Sequence, residues 1–294
     1  MILTVLGAAA GGGVPQWNCA CRNCSLARAG DLPRMTQSSV AVSLDGTGWV
    51  VLNASPDIRA QLAAPRFAPQ GLRGSPVKAV VVTNADVDHI AGLLSLREGT
   101  GFDLWASAET HAVLAASPVF GVLSEVVVRR EMAPDTGFSP LPGLTITPFA
   151  VPGKVALFLE EALGADHRMG GQTLGLEIAG AGKRVLYIPG CAEVPEWLLD
   201  RAEGADVLFF DGTVFADDEM VREGVGTKTG ARMGHVAVGG PGGTLERFRG
   251  RKLGRKVLIH INNTNPILRP DSPERAEVSR AGWEVAQDGM EVSA

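Results

Sequence analysis

The feature that most constrains the fold lies a third of the way along the chain. Ala79-Val80-Val81-Val82-Thr83 is a β-branched, apolar run of strand length, and His89 to Glu98 carries the apolar spacing of a helix. Asn84-Ala85-Asp86-Val87-Asp88 joins them, so three polar side chains and His89 converge at the carboxyl end of a buried strand, where α/β folds place their sites. A local role is also open to Asp86 or Asp88: either carboxylate can cap the helix by accepting from the free amides of its first turn.

Similar runs recur between Gly, Pro and Asp turns. Strands are expected at Ile2–Leu6, Ser39–Leu44, Trp49–Leu52, Val77–Thr83, Glu125–Arg129, Leu144–Val151, Thr173–Ile178, Arg184–Ile188, Asp206–Phe210 and Lys256–Ile261. Helical patterns occupy His89–Glu98, Ala108–Ala116, Pro195–Ala202, Gly243–Arg249 and Pro273–Ala281. Strands come in groups with helices after them, which suits an α/β fold of four layers, αββα, with two mixed sheets face to face and helices outside. No linker divides the chain, so residues 1–294 are expected to form one domain, with Ala133–Pro142 as a surface loop.

The chain of 294 residues has a net charge of −5, and its Lys and Arg residues form no long stripe, which argues against a sequence-independent grip on nucleic acid. No cationic lead precedes an apolar core at the amino end, and no run approaches the roughly 20 apolar residues of a membrane span. A cytoplasmic protein is expected. Of four cysteines, Cys19, Cys21 and Cys24 fall within six residues, a spacing suited to one soft divalent ion, zinc above all, in a closed structural site. Buried free thiols are the plainer alternative. The preceding Gly11-Gly12-Gly13 lacks the Lys-Ser/Thr of a phosphate loop and is better suited to letting backbone pass close to another element.

Thr83 through Gly92 resembles the Thr and His-x-His-x-Asp-His run of the metallo-β-lactamase superfamily. In typical two-metal members the first two histidines serve one ion and the Asp-His pair serves the other. Asn84 and Asp86 replace the first two histidines, while Asp88 and His89 match. Pro152-Gly153-Lys154 stands where the middle histidine is expected, and Gly190 in Tyr187-Ile188-Pro189-Gly190-Cys191 takes the place of the bridging aspartate. Leu258-Ile259-His260 resembles the last strand, whose histidine joins the Asp-His pair. The resemblance therefore implies one metal held by Asp88, His89 and His260, two imidazoles and a carboxylate with coordination positions left open, as in non-haem iron(II) oxygenases. The same ligands also accept zinc, manganese or copper. Asp86, Asp211 and His235 are candidates for an additional ligand or an outer partner.

A related phosphodiesterase of phosphonate metabolism pairs a similar cysteine run with a histidine three residues after the last active-site histidine. Asn263 holds that place here, making it a candidate fourth partner of the cysteines.

Gly7 to Cys21, Thr83 to Glu98, Phe209-Phe210-Asp211-Gly212-Thr213, Met233-Gly234-His235 and His260 to Pro266 together resemble the coenzyme PQQ biosynthesis B family. That resemblance implies a step in making pyrroloquinoline quinone from a cross-linked Glu-Tyr precursor: iron-dependent, dioxygen-using hydroxylation of the tyrosine ring. A carrier that moves the cofactor or its precursor toward the periplasm and a metal-dependent hydrolase are the alternatives. The expected ligand is a small-molecule or dipeptide precursor bearing carboxylates, with other PQQ biosynthesis proteins as partners. Lys154, Arg168, Lys228, Arg232 and Arg269 are the candidates to bind it.

Overall fold

The computed structural model describes residues 1–123, 125–164 and 168–294. The first six strands, β1 (Ile2–Gly7), β2 (Ser39–Ser43), β3 (Trp49–Leu52), β4 (Val77–Val81), β5 (Phe102–Ala106) and β6 (Val127–Glu131), lie side by side in chain order. The next seven, β7 (Phe138–Leu141), β8 (Leu144–Ala150), β9 (Leu174–Gly180), β10 (Lys183–Ile188), β11 (Val207–Asp211), β12 (Arg255–Ile259) and β13 (Glu284–Val285), do the same in a second sheet. The last strand, β14 (Glu291–Ser293), returns to pair with β1. Both sheets are mixed in the same way. β1–β3 and β7–β10 run antiparallel to their neighbours, whereas β3–β6 and β10–β13 are parallel.

Alternation along the strands explains the layering. Val40, Val42, Val50, Leu52, Ala79 and Val81 belong to the core shared with the second sheet, while Ala41, Val51, Val80 and Val82 belong to a separate core with Ile58, Leu93 and Leu114. Both faces are buried, and the strands accordingly read as unbroken apolar runs. On the second sheet Phe210, Phe248 and Trp283 form a triangle of edge-to-face rings, with centroids 5.1, 5.6 and 6.4 Å apart. The expected four-layer αββα architecture is thus observed.

Three local expectations need correction. Ala133–Pro142 is not all loop: β7 pairs with β8, and Phe138 stacks on Trp105 with centroids 4.0 Å apart. Strand β6 begins two residues later than expected. The helix expected over His89–Glu98 is one α-turn, Val87–Ile90, followed by a 3₁₀ stretch, Ala91–Leu96. Gly92 shows why: its N–H donates to Ala54 O at 2.9 Å, outside the helix, and a Cβ there would lie 1.9 Å from Ser55 O.

Candidate metal centre

The carboxyl ends of β4, β11 and β12 meet on one edge of the sandwich. Beyond β4, Thr83 is tied to β3 by Asn53, whose Oδ1 accepts Thr83 N–H at 2.9 Å, and to the second sheet by Leu174 N–H donating to Thr83 O at 2.9 Å. Neither Asp86 nor Asp88 caps the short helix: Asp86 holds the N-cap position without a side-chain cap bond. Their carboxylates are therefore free for other work.

Asp88, His89 and His260 offer ligand atoms that all lie within 4.8 Å of one another. His260 Nε2 is 3.0 Å from Asp88 Oδ2, and the His89 and His260 rings meet edge to face at 5.3 Å. His89 is 2% exposed, yet its Nε2 has no hydrogen-bond partner, with Asp88 Oδ2 3.9 Å away. An orphaned buried nitrogen is costly unless something else satisfies it, and a cation among these three donors would do so. Burial drives the His89 pKa down to about 4, keeping the ring neutral and able to ligate. Burial alone would raise Asp88, but His89 and His260 hold its carboxyl well below the usual range.

Behind His260 stands a buried network. Thr213 Oγ1 lies 2.7 Å from Asp211 Oδ1 and 2.9 Å from His260 Nδ1. The hydroxyl hydrogen has the carboxylate to take it, so its oxygen accepts from His260 Nδ1 and leaves Nε2 directed at Asp88. Burial would lower the His260 pKa, but the Asp88 hydrogen bond and the charges of Asp88, Asp211 and Asp86 raise it; a metal ion would take the place of the Nε2 proton. His260 sits at φ +60°, a strained setting for a non-glycine residue that places the ring on this edge.

Asp211, His235 and His260 form a second cluster with ligand atoms within 4.8 Å. Asp211 is fully engaged, however, accepting from Cys191 N–H at 2.9 Å, Thr213 N–H at 3.0 Å, Thr213 Oγ1 and His235 Nδ1 at 2.7 Å. These bonds tie it to His235 directly and to His260 through Thr213. His235 stacks on His260 with centroids 5.1 Å apart.

A cavity of about 300 Å³ opens over the cluster, walled by Gly11, Asp86, Asp88, Lys154, Lys228, His235 and His260 on its polar side. Val87, Leu157, Phe158, Met220 and Met233 line the rest. Of the five candidate cations, Lys154 and Lys228 line this cavity, and Arg232 is paired with Glu160, the partner of Lys154. Arg168 lines a neighbouring apolar cavity, and Arg269 donates to Asn23 Oδ1 at 2.7 Å beside the cysteines. The sequence reading missed Glu160. Its Oε1 accepts from Lys154 Nζ at 2.8 Å and its Oε2 from Arg232 Nη2 at 2.6 Å; bonds from Arg232 and then Lys154 hold its pKa down at about 2.

Cys19, Cys21 and Cys24 are buried together, with sulfur atoms within 4.8 Å of each other. Asn263 covers the triangle, its Nδ2 lying 3.2, 3.5 and 3.4 Å from the three sulfurs in turn. Asn23 pins that turn by donating to Asn263 O at 2.9 Å and Asn265 O at 2.8 Å. Burial first, and the neighbouring thiols Cys19 and Cys24, push Cys21 up to about 12, so a cation is needed to bring it to the thiolate.

Residues 48–261 match the β-lactamase superfamily domain model. The chain is 56% identical to the coenzyme PQQ synthesis protein B of Methylorubrum populi, covering 99% of each chain. Its structure superposes on the Zn(2+)-bound PqqB of Methylobacterium extorquens with a TM-score of 0.98 at 52% identity, covering all of both chains. A diphosphatase of the PhnP family shares the fold, with a TM-score of 0.70 at 22% identity over 100% of this chain and 97% of that one.

Proposed function

The chain belongs to the coenzyme PQQ synthesis protein B family of the β-lactamase superfamily, and we propose that within PQQ synthesis it acts as an iron(II)- and dioxygen-dependent hydroxylase. Its substrate in this reading is the tyrosine ring of a cross-linked Glu-Tyr precursor, delivered in the cytoplasm by other proteins of the pathway. The observation that carries the reading is the buried, unpartnered His89 Nε2, set with Asp88 and His260 in one cluster of three donors. Two-metal hydrolysis in this fold requires a second ion to clamp the leaving oxygen. Asn84, Asp86 and Lys154 stand where the resemblance expects that ion's three histidines, and Gly190 where it expects the bridging aspartate.

Bound iron would supply the one-electron and dioxygen chemistry that no side chain provides. The chain's own groups do the rest. Asp88, His89 and His260 hold the ion, and Thr213, kept in place by Asp211, fixes the His260 ring. Lys154 and Lys228, which line the cavity, draw the precursor's carboxylates toward it, with Arg232 sharing Glu160 with Lys154, while Leu157 and Phe158 offer the ring an apolar wall. Ring hydroxylation puts one oxygen atom of O₂ into a C–H bond and releases the other as water. Two electrons and two protons must therefore come from the substrate or an added reductant. Cys19, Cys21 and Cys24 would hold a structural zinc, closed on the fourth side by water or by Asn263 with its amide turned to present Oδ1 in place of the Nδ2 that now faces the sulfurs.

The test is anaerobic loading with Fe(II) followed by oxygen uptake with the cross-linked Glu-Tyr dipeptide and a reductant. Consumption of O₂ with a product one oxygen atom heavier is expected. Zinc-supported phosphodiester cleavage without a response to iron would overturn the reading in favour of a hydrolase. A His260→Ala protein that still completes cofactor synthesis in cells would overturn it in favour of a carrier.

A further inference from the structure

Asn84 stands where a two-metal site would carry its first histidine, but it is not an idle replacement. Its Oδ1 lies 2.6 Å from His89 Nδ1 and accepts Asp86 N–H at 3.0 Å, while its Nδ2 donates to Asp86 Oδ2 at 2.8 Å. These contacts fix which way the amide points. The backbone N–H of Asp86 can only donate, so the atom facing it is oxygen, and the carboxylate on the other side demands nitrogen. The oxygen that faces Asp86 also faces His89 Nδ1, so that ring nitrogen carries the hydrogen. Nε2, buried and without another partner, is left as the bare nitrogen beside Asp88 and His260.

We infer that Asn84 is the positioning residue of this centre: braced by Asp86, it holds the His89 ring in the tautomer and orientation that direct the Nε2 lone pair into the ligand set. Outer partners of this kind commonly contribute about 10–100-fold to metal affinity. Asn84 is 8% exposed, so its oxygen is largely shielded from solvent. The inference rests on the assignment of the metal to Asp88, His89 and His260, and not on hydroxylation.

Co(II) titration tests it. Cobalt held by thiolates has an intense near-ultraviolet band that a nitrogen–oxygen site lacks, so the two sites are read separately. Asn84→Ala should weaken cobalt at the nitrogen–oxygen site about 10–100-fold and alter its visible d–d bands. The thiolate band should not change, and the metal-free protein should still unfold in one cooperative transition, at a Tm lowered by the hydrogen bonds that Asn84 no longer makes. The exchange of Asn84→Asp with Asp86→Asn keeps an oxygen on His89 Nδ1 and a bond between the two side chains, and should bring affinity back to within about threefold of the parent. Parent affinity and spectrum in Asn84→Ala, or an exchange variant as weak as Asn84→Ala, would overturn the inference. A parent protein without nitrogen–oxygen bands defeats the metal assignment itself. A loss in Asn84→Ala without any oxygen uptake by the parent leaves the inference standing and removes only the hydroxylase reading.

Discussion

Glu219 ties together the two loops that carry Thr213 and His260 of the candidate centre, and it does so with a carboxyl that keeps its proton up to about pH 7. Its Oε2 accepts Phe215 N–H at 2.7 Å, just beyond Thr213, and its Oε1 lies 2.6 Å from Thr264 Oγ1, in the turn that follows His260 and Asn263. Burial raises its pKa from 4.5 to about 7, against the lowering effect of hydrogen bonds from Thr264, Phe215 and Ala216. The unfolded chain gives up this proton near its ordinary pKa, whereas the folded one keeps it until about 7. The contribution is therefore fully present below 4.5 and is lost as pH rises through 7. For these two values, linkage gives a loss of about 2.5 kcal/mol between pH 5 and pH 8. Glu219→Gln removes the titration at a pH-independent cost of about 1 kcal/mol, because one amide end must face a donor. Urea unfolding of both proteins at pH 5 and pH 8, followed by tryptophan fluorescence, measures the difference, and metal binding cancels because both carry the same ligands. The variant should gain on the parent by about 2.5 kcal/mol on going to the higher pH. An equal stability gap at the two pH values would refute the buried-acid argument.

Three further outcomes can be checked. Lys154→Ala should raise KM for the cross-linked dipeptide about tenfold with kcat little changed, as expected of a charge that binds rather than reacts; a fall in kcat alone would contradict that role. Phe248→Ala, which empties the centre of the ring triangle on the outer face of the second sheet, should cost about 3–5 kcal/mol in thermal unfolding without altering cobalt binding. Gly92→Ala forces a methyl group into Ser55 O and should cost at least about 2 kcal/mol, read as lower Tm, and weaken metal binding by displacing the turn that bears His89.

The sandwich was legible because its central strands are buried on both faces and so read as continuous apolar runs. β7 was hidden for the opposite reason. It is an edge strand containing Pro140, which an edge tolerates, and its turn-forming neighbours outweighed Phe138, whose partner Trp105 is far away in sequence. The helix Arg22–Ala29 was missed because its Arg22-Asn23-Cys24 start attracted a reading as ligands alone, although Cys24 is both helical and in the triangle. At the site, Asp88, His89 and His260 were legible through their motifs. Glu160, Thr213 and the hydrogen bond from His89 to Asn84 depend on where the side chains meet, and nothing in their spacing announces them.

The residues that stand where the resemblance places the other half of a two-metal centre are fitted to one another, which bears on whether one substitution would build that half. Asn84 is turned onto His89 and Asp86. The stem of Lys154 runs over Gly234, where a Cβ would lie 3.1 Å from Lys154 Cγ. Gly190, which the resemblance places at the bridging aspartate, faces His235: a Cβ there would lie 3.4 Å from His235 Cε1, ordinary contact for a methyl, so a longer side chain has to contend with that ring. His235 is in turn fixed by Asp211 at 2.7 Å and by its stack on His260. Gly190→Asp should therefore not add a second metal. It should drive His235 off Asp211, leave that fully buried carboxylate short of a partner, and lower stability by about 1–3 kcal/mol, with the His260 ring less well held and cobalt bound more weakly at the remaining centre. Metal analysis showing an additional equivalent in Gly190→Asp, with parent stability, would mean that the other half-site can form and that His235 merely fills space.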